Sequence, residues 1–179
     1  MFSNVINFSK TLYAIFQLEA GPQKLPSSLP LLGGSLILYV LCRLWVGTFD
    51  YSAGAAGFLG VFDAVLLVLM ASVPLLLLKR GDRIVQTVTA LVCVGIAVSL
   101  ADLFLLFLLS DLPLPVSEER MDGLLSFLTF PVLLWRLLMN TTLLRYALSW
   151  GFMSAFALAV GHLAVVGFLG GRLASSLMG

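Results

Sequence analysis

Five ionisable residues interrupt the apolar stretches of the sequence and are its candidates for chemistry. They are Arg43, Asp63, Asp102, Arg136 and His162. A charged side chain near the centre of a bilayer costs on the order of 2.5–3.5 kcal/mol, so each of them needs a partner or a function. Arg136 is predicted near the inner face. The other four, each from a different helix, are predicted to share one depth in the outer half of the membrane.

These four residues predict a polar site within the membrane. Arg43 would pair with Asp63 or with Asp102, and His162 would lie nearby. Such a site could bind a lipid headgroup, relay a proton or seat a partner helix. The alternatives without function are an interhelical salt bridge and side chains that snorkel to the outer surface. Asp102 is the hardest to explain in this way, because its short side chain cannot reach far.

A second set of residues is predicted at the ends of spans and is typical of membrane-interface anchors. Arg136 follows Trp135, and Arg145 precedes Tyr146; aromatic and basic side chains are common at the interface. Binding of an anionic lipid headgroup is the alternative. The interface or headgroup candidates are Lys79, Arg80, Arg83, Trp135, Arg136 and Arg145.

The sequence lacks familiar catalytic and cofactor motifs. It contains no phosphate loop ending in GK[ST], no HExxH and no GxSxG. Its single histidine, His162, and its two cysteines, Cys42 and Cys93, cannot supply a four-ligand zinc site. One histidine also excludes a haem held by two histidines of the chain. We therefore expect no enzymatic activity, no metal and no cofactor.

Composition predicts the class of protein. The chain has 179 residues, of which 60% are hydrophobic and 11% charged, and its mean hydropathy is +1.08. Soluble domains carry about 25% charged residues, so this chain lacks the charge for a water-facing surface. A net charge of +1 provides no basic surface for nucleic acid. The expected fold is an all-α polytopic bundle of transmembrane helices in the lipid bilayer.

Five apolar runs predict about five spans. They cover about 29–49, 57–78, 84–109, 123–140 and 147–170, and a helix needs about 20 apolar residues to cross the hydrocarbon. The fourth run is the weakest, because Pro131 lies within it and Arg136 lies near its end. A bent or re-entrant element that includes 141–146 is the alternative. The predicted domains are an N-terminal segment, 1–28, and a five-helix transmembrane domain, 29–179.

The N-terminal segment predicts an amphipathic helix over 2–18. Apolar residues recur at helical spacing there, and polar residues fall largely between them. This helix would lie in the membrane surface or pack on the spans of the chain itself. Three prolines follow in the connector. A cleavable signal peptide is not expected, because no basic start precedes an apolar block.

The basic residues predict the orientation. Lys and Arg collect on the cytoplasmic side of spans. With five spans and a cytoplasmic N-terminus, seven of the ten basic residues fall inside, including those of the 79–83 turn, and the C-terminus lies outside. The acidic loop at about 110–122 would then lie outside. We expect an integral protein of the bacterial inner (plasma) membrane.

Small residues four apart predict close contacts between helices. The pairs are Ala53/Gly57, Ala56/Gly60, Ala157/Gly161 and Gly167/Gly171. Packing within the chain is the expected use of these pairs, rather than homodimerisation.

The layout resembles the Yip1-type membrane family. The sequence PLLLLKRGDRIVQTVTAL at 74–91 is similar to that family's basic turn, and VLLWRLLMNTTLLRYALSW at 132–150 is similar to its Trp-bearing fourth span and the start of its fifth. The resemblance covers about 29–170, although the second span and the acidic loop have no matching feature. It implies a non-enzymatic five-helix membrane protein. Eukaryotic members assist vesicle trafficking, and the family offers no catalytic residues to transfer.

Three functions remain after these exclusions. The first expectation is a non-catalytic accessory or scaffold subunit that interacts with other membrane proteins. The alternative is a small transporter or lipid-handling protein that uses the polar site of Arg43, Asp63, Asp102 and His162. An intramembrane enzyme ranks last, since the sequence lacks a nucleophile–base pair.

Overall fold

The computed structural model describes residues 2–110, 118–170, 172–173 and 176, with side chains from residue 7 onward except those of 110 and 118–122. Within these ranges the chain forms six α-helices and no strand. They are α1 (Phe2–Phe16), α2 (Leu29–Gly47), α3 (Ala53–Leu77), α4 (Ile84–Ser110), α5 (Glu118–Leu148) and α6 (Phe152–Val165), the last of which continues as a π-helical turn over Val166–Gly170. Much of the acidic loop lies outside the described residues.

Five helical segments are long and apolar enough to cross a membrane. They are Leu29–Gly47, Ala53–Leu77, Gly81–Leu109, Gly123–Leu148 and Phe152–Gly170. Local signals set two of their starts, because Ser28 and Ser52 each accept a hydrogen bond from the backbone three residues on, which satisfies an exposed N–H of the first turn. The chain is therefore an integral membrane helical bundle, and the predicted fold class is confirmed.

The fourth span differs from its prediction. Helix α5 runs without interruption to Leu148, so the re-entrant alternative is wrong. The residues expected to end the span are polar but buried: Asn140 is 1% exposed and Thr141 is 0% exposed. The Thr141 hydroxyl bonds the carbonyl of Leu137 at 2.7 Å, which makes its polarity compatible with a helix interior. Arg136 consequently lies about 18 Å from the end of the helix, at about 1.5 Å per residue.

The bundle has two ends, which we name by their turns. The short connectors make consecutive spans antiparallel, so the 48–52 turn marks one end and the 78–83 turn marks the other. The buried apolar core lies toward the 78–83 end. On α5 it comprises Met139, Leu143, Leu144, Ala147 and Leu148, whereas no described residue of 123–135 is buried.

The N-terminal helix packs on the spans through one face. Ile15 is 1% exposed and joins the core, and the Phe16 ring lies 5.8 Å from the ring of Trp135. The connector is held as well, because the Gln86 amide donates a 2.8 Å hydrogen bond to the carbonyl of Leu25. Tyr13, on the other face, is 64% exposed. The sequence left two predictions for this helix, a position in the membrane surface and packing on the chain's own spans. The inner face of α1 packs on the spans.

Basic residues at the 78–83 end bind the C-terminal end of α5. Arg80 Nη1 donates a 2.7 Å hydrogen bond to Ser149 Oγ, and Arg83 Nη1 donates a 3.4 Å bond to the carbonyl of Ala147. Two guanidinium groups thus lie at the C-terminal end of α5, where the helix dipole favours positive charge. Lys79 and Ser149 both have positive φ angles, 57° and 53°, as residues that terminate helices often do.

Candidate functional site

The carboxylate of Asp63 is the centre of a buried polar cluster. It lies on α3 and is 0% exposed. Its Oδ2 is 3.2 Å from Arg43 Nε and 3.4 Å from Arg136 Nη2, and it accepts a 2.6 Å hydrogen bond from the Tyr39 hydroxyl. Three donors from α2 and α5 therefore converge on one oxygen.

The second carboxylate oxygen faces α6. Asp63 Oδ1 is 3.2 Å from Nε2 of His162, whose side chain is 1% exposed. Both ring nitrogens of His162 and Oδ1 of Asp63 are buried without a hydrogen bond among the described residues, so this contact is a close approach and not a hydrogen bond. With His162, the cluster joins four of the five spans around a single carboxylate.

Tyr39 connects Asp63 and Arg136 within the cluster. It lies four residues before Arg43 on α2, so both side chains project from one face of that helix. Its hydroxyl donates to Asp63 and accepts a 3.3 Å hydrogen bond from Arg136 Nη2. Since Tyr39 is 0% exposed, the phenol supplies the hydrogen-bonding capacity that a buried ion pair requires.

Two glycines provide the space for this arrangement. A Cβ at Gly60 on α3 would lie 3.2 Å from the carbonyl oxygen of Val40 and 3.3 Å from the Cβ of Arg43. A Cβ at Gly95 on α4 would lie 2.5 Å from Cε2 of Tyr39, a distance that side chains do not reach without displacement. The Ala56/Gly60 pair thus packs against α2 within the chain, as its spacing predicted.

The position of Arg136 corrects the sequence-based prediction. It was expected near the inner face as an interface anchor beside Trp135, but it is 7% exposed and contacts Asp63. Trp135 is half-buried against Phe16 and is not a simple interface residue. The reason is the true length of α5, which places both residues in the middle of the span.

The structure brings together three of the four predicted intramembrane residues. Arg43, Asp63 and His162 are in contact, and of the two predicted partners of Arg43 the structure selects Asp63. Asp102 is half-buried on α4 and has no cationic nitrogen within 4.0 Å among the described side chains. Asp63 also lies deeper than predicted, because α3 begins at Ala53 rather than near residue 57.

A cavity of about 530 Å³ adjoins the cluster on the side of the 48–52 turn. It lies between α2, α4 and α5, and both cationic and anionic groups line it. Arg43, whose side chain is 23% exposed, and Arg136 lie at its wall, as does Asp102. The full lining is Arg43, Val46, Asp50, Val98, Asp102, Leu106, Leu125, Ser126, Thr129, Phe130, Leu133 and Arg136.

The predicted interface residues divide into two groups. Arg80 and Arg83 bond the end of α5, so their first role is structural. Lys79 and Arg145 are exposed at the 78–83 end and stay available to a headgroup.

Sequence reasoning missed Tyr39 and Gly95. A signal for Tyr39 exists, because it precedes the intramembrane arginine on α2 by one helical turn. No comparable signal identifies Gly95 among the 16 glycines, since its role depends on which helices are neighbours.

Comparison with known proteins gives no match: no protein-family model, no curated protein and no solved structure is significantly similar to this chain. The fold and the site therefore define its class, an integral membrane helical bundle with a buried Arg–Asp–Arg cluster beside a polar cavity.

Proposed function

We propose that this chain is a non-enzymatic membrane protein that binds a small polar or amphipathic molecule in the cavity beside Arg43 and Arg136 and transfers it across or within the bilayer. The observation that carries this proposal is the cavity with charged walls at the depth of the ion-pair cluster. Ionisable groups inside membranes typically face the bundle interior or a water-filled cavity and mark substrate pathways. This function is the transport or lipid-handling alternative of the sequence analysis.

Polar groups that continue beyond the cavity support transfer rather than binding alone. Asn140 lies four residues after Arg136 on α5 and thus on the same face. Its Oδ1 is buried without a hydrogen-bond partner among the described residues, as is Oγ of Ser99 on α4. Buried unsatisfied groups are rare and call for an explanation. A polar path that extends from the cavity toward the 78–83 end supplies one.

Accessibility of introduced cysteines tests this function. In a chain whose Cys42 and Cys93 are replaced by Ala, Ser126→Cys in the cavity wall should react with a membrane-impermeant maleimide added from the side of the 48–52 turn. The adjacent Phe127→Cys is the matched control, because Phe127 is 75% exposed and does not line the cavity. An unreactive Ser126→Cys would refute the proposal. Reaction of Asn140→Cys from the opposite side is expected if transfer crosses the membrane.

A second candidate is the accessory or scaffold subunit, and one observation favours it. Between α3 and α6 a groove of about 310 Å³ is lined by Ala157, Gly161 and His162. A Cβ at Gly161 would meet nothing within 4 Å, so the backbone of α6 is open to a partner helix, and small residues allow such an approach. In this function the partners are other membrane-protein subunits.

Co-purification distinguishes the two candidates. A subunit should carry stoichiometric partner chains through mild-detergent purification, and Gly161→Leu should release them. Gly34→Leu is the matched control, because Gly34 is also exposed within a span and has open space around it. Purification as a single species of this chain would favour transport instead.

The basic residues support a cytoplasmic 78–83 end. Six of them lie there, Lys10, Lys24, Lys79, Arg80, Arg83 and Arg145, and short basic loops are retained in the cytoplasm. Because Arg136 is buried within the bundle, it no longer counts as evidence for the orientation. The proposed location is a bacterial inner membrane with the N-terminus inside and the C-terminus outside, and a C-terminal reporter active in the cytoplasm would refute it. Membership of the Yip1-type family stays a prediction.

A further inference from the structure

The charged groups that line the cavity are two arginines, Arg43 and Arg136, and two aspartates, Asp50 and Asp102. With the imidazole counted as neutral, the cluster contains two guanidinium groups and one carboxylate, Asp63. One positive charge is therefore left over. Arg43 carries it toward the cavity, because its Nε contacts Asp63 while its side chain is 23% exposed and lines the cavity.

A negative charge faces the same cavity from the opposite helix. Asp102 on α4 lines the cavity and makes no ion pair with any described side chain. The wall thus presents a guanidinium group, Arg43, and a carboxylate, Asp102, which interact electrostatically but form no direct ion pair, and Asp50 is a second carboxylate in the lining. Buried charges that lose water without gaining a partner are costly. A ligand with a single charge would compensate one wall group and desolvate the other.

From this arrangement of both signs of charge in one cavity we infer that its ligand is a zwitterion, whose ammonium group binds Asp102 and whose carboxylate or phosphate binds Arg43. The inference rests on the function proposed above and names its substrate class. Arginine suits the anionic end, since its planar fork matches carboxylate and phosphate oxygens. The volume of about 530 Å³ is within the usual range for small-molecule sites, roughly 300–1,000 Å³.

The remaining walls indicate an apolar portion on the ligand. Leu106, Leu125 and Leu133 line the cavity together with the charged residues. Two sources share this chemistry: an amino acid with an apolar side chain, and a lipid whose headgroup carries an ammonium and a phosphate.

Protection of Ser126→Cys from the impermeant maleimide measures occupancy of the cavity. The protein is placed in nanodiscs of phosphatidylglycerol, which carry no zwitterionic lipid. The free probes are leucine, its cationic analogue leucinamide and its anionic analogue N-acetylleucine. The lipid probes are lysophosphatidylethanolamine, which is zwitterionic, and lysophosphatidylglycerol, which is anionic. Protection by leucine would identify the ligand as a free amino acid. Protection by lysophosphatidylethanolamine would identify it as a zwitterionic lipid.

The expected result is that a zwitterion protects at concentrations about thirtyfold lower than the single-charge analogues, as the loss of one buried charge pair implies. Asp102→Asn should remove this preference, and Asp102→Glu should restore it. Asp102 makes no ion pair, so its replacement leaves the cluster intact. Asp82→Asn, at the 78–83 end, is the matched control and should retain the preference.

Two outcomes would overturn the inference. Equal protection by N-acetylleucine and leucine, unchanged in Asp102→Asn, would show an anion site. If none of the zwitterionic probes protects the cysteine, zwitterions are excluded as ligands of the cavity. In both cases a reactive Ser126→Cys leaves the proposed function standing, whereas an unreactive one refutes that function first.

Discussion

The half of the bundle next to the 78–83 turn contains the buried apolar core, together with a cavity of about 670 Å³ between α1, the connector and the start of α2. The half next to the 48–52 turn contains the cavity of about 530 Å³ beside the Asp63 cluster. Helix α5 shows the contrast within one element. Leu144 in the first half is 0% exposed, and Leu133 in the second is 46% exposed. The same apolar residue type thus packs a core in one half and lines a cavity or meets lipid in the other. The difference teaches that the packed core and the proposed ligand site occupy opposite halves, with Asp63 at their boundary.

The largest loss of stability is expected from replacing Asp63, at the boundary between the two halves. Asp63→Leu would leave the buried guanidinium group of Arg136 and the partly exposed one of Arg43 without this carboxylate, and removing one member of a buried ion pair costs about 3–5 kcal/mol. Unfolding by sodium dodecyl sulfate in mixed micelles measures this free energy. Asp102→Asn is the matched control and should change it little. Equal losses in the two variants would mean that the cluster does not hold the halves together.

A comparison of truncations separates the two halves directly. Leu144→Ala should destabilise the protein by about 3 kcal/mol, because it opens a cavity in a packed core. Leu133→Ala should leave the free energy of unfolding almost unchanged, since it only enlarges space that already exists. The same micelle titration applies to both variants. If Leu133→Ala destabilises as much as Leu144→Ala, the second half is packed like the first.

Gly95→Ala tests the close contact that fixes Tyr39. The added Cβ would lie 2.5 Å from the tyrosine ring, and overpacking of this kind costs about 1–3 kcal/mol. Gly161→Ala adds the same methyl group where nothing lies within 4 Å, so it should have no measurable effect. Thermal denaturation in detergent, followed by circular dichroism, compares them. Equal melting temperatures would contradict the contact between α2 and α4.

The smallest loss of stability is expected at the 78–83 end of the bundle. Arg80→Ala removes the hydrogen bond to Ser149, and exposed interactions of this kind contribute about 0.2–1 kcal/mol. Hydrogen exchange at the last turn of α5 should rise, while exchange at Leu91 and its neighbours stays slow. Lys79→Ala is the control, because Lys79 is exposed. An increase in hydrogen exchange across the whole bundle would show that the Arg80–Ser149 hydrogen bond stabilises the entire fold and not only the end of α5.

Hydropathy and spacing predicted the helical class and the five spans, because both depend on local sequence. The same method misplaced Arg136, since hydropathy records the polarity of Asn140 and Thr141 without recording that they are buried. Contacts between helices are a different matter. The pairing of Arg43 with Asp63, instead of Asp102, depends on how α2, α3 and α4 pack, and the spacing of residues within each helix leaves that choice open.

The shared carboxylate of Asp63 has a consequence for the order of membrane insertion. The α2–α3 hairpin is synthesised first and already contains the Arg43–Asp63 pair, so its charges enter the bilayer compensated. The fourth candidate span has the lowest hydropathy of the five, 1.4, and it carries Arg136. When this span leaves the translocation machinery, Tyr39 and Asp63 are already in place as its acceptors. We therefore expect that the helices made before this span help to retain it in the membrane although it is poorly hydrophobic by itself.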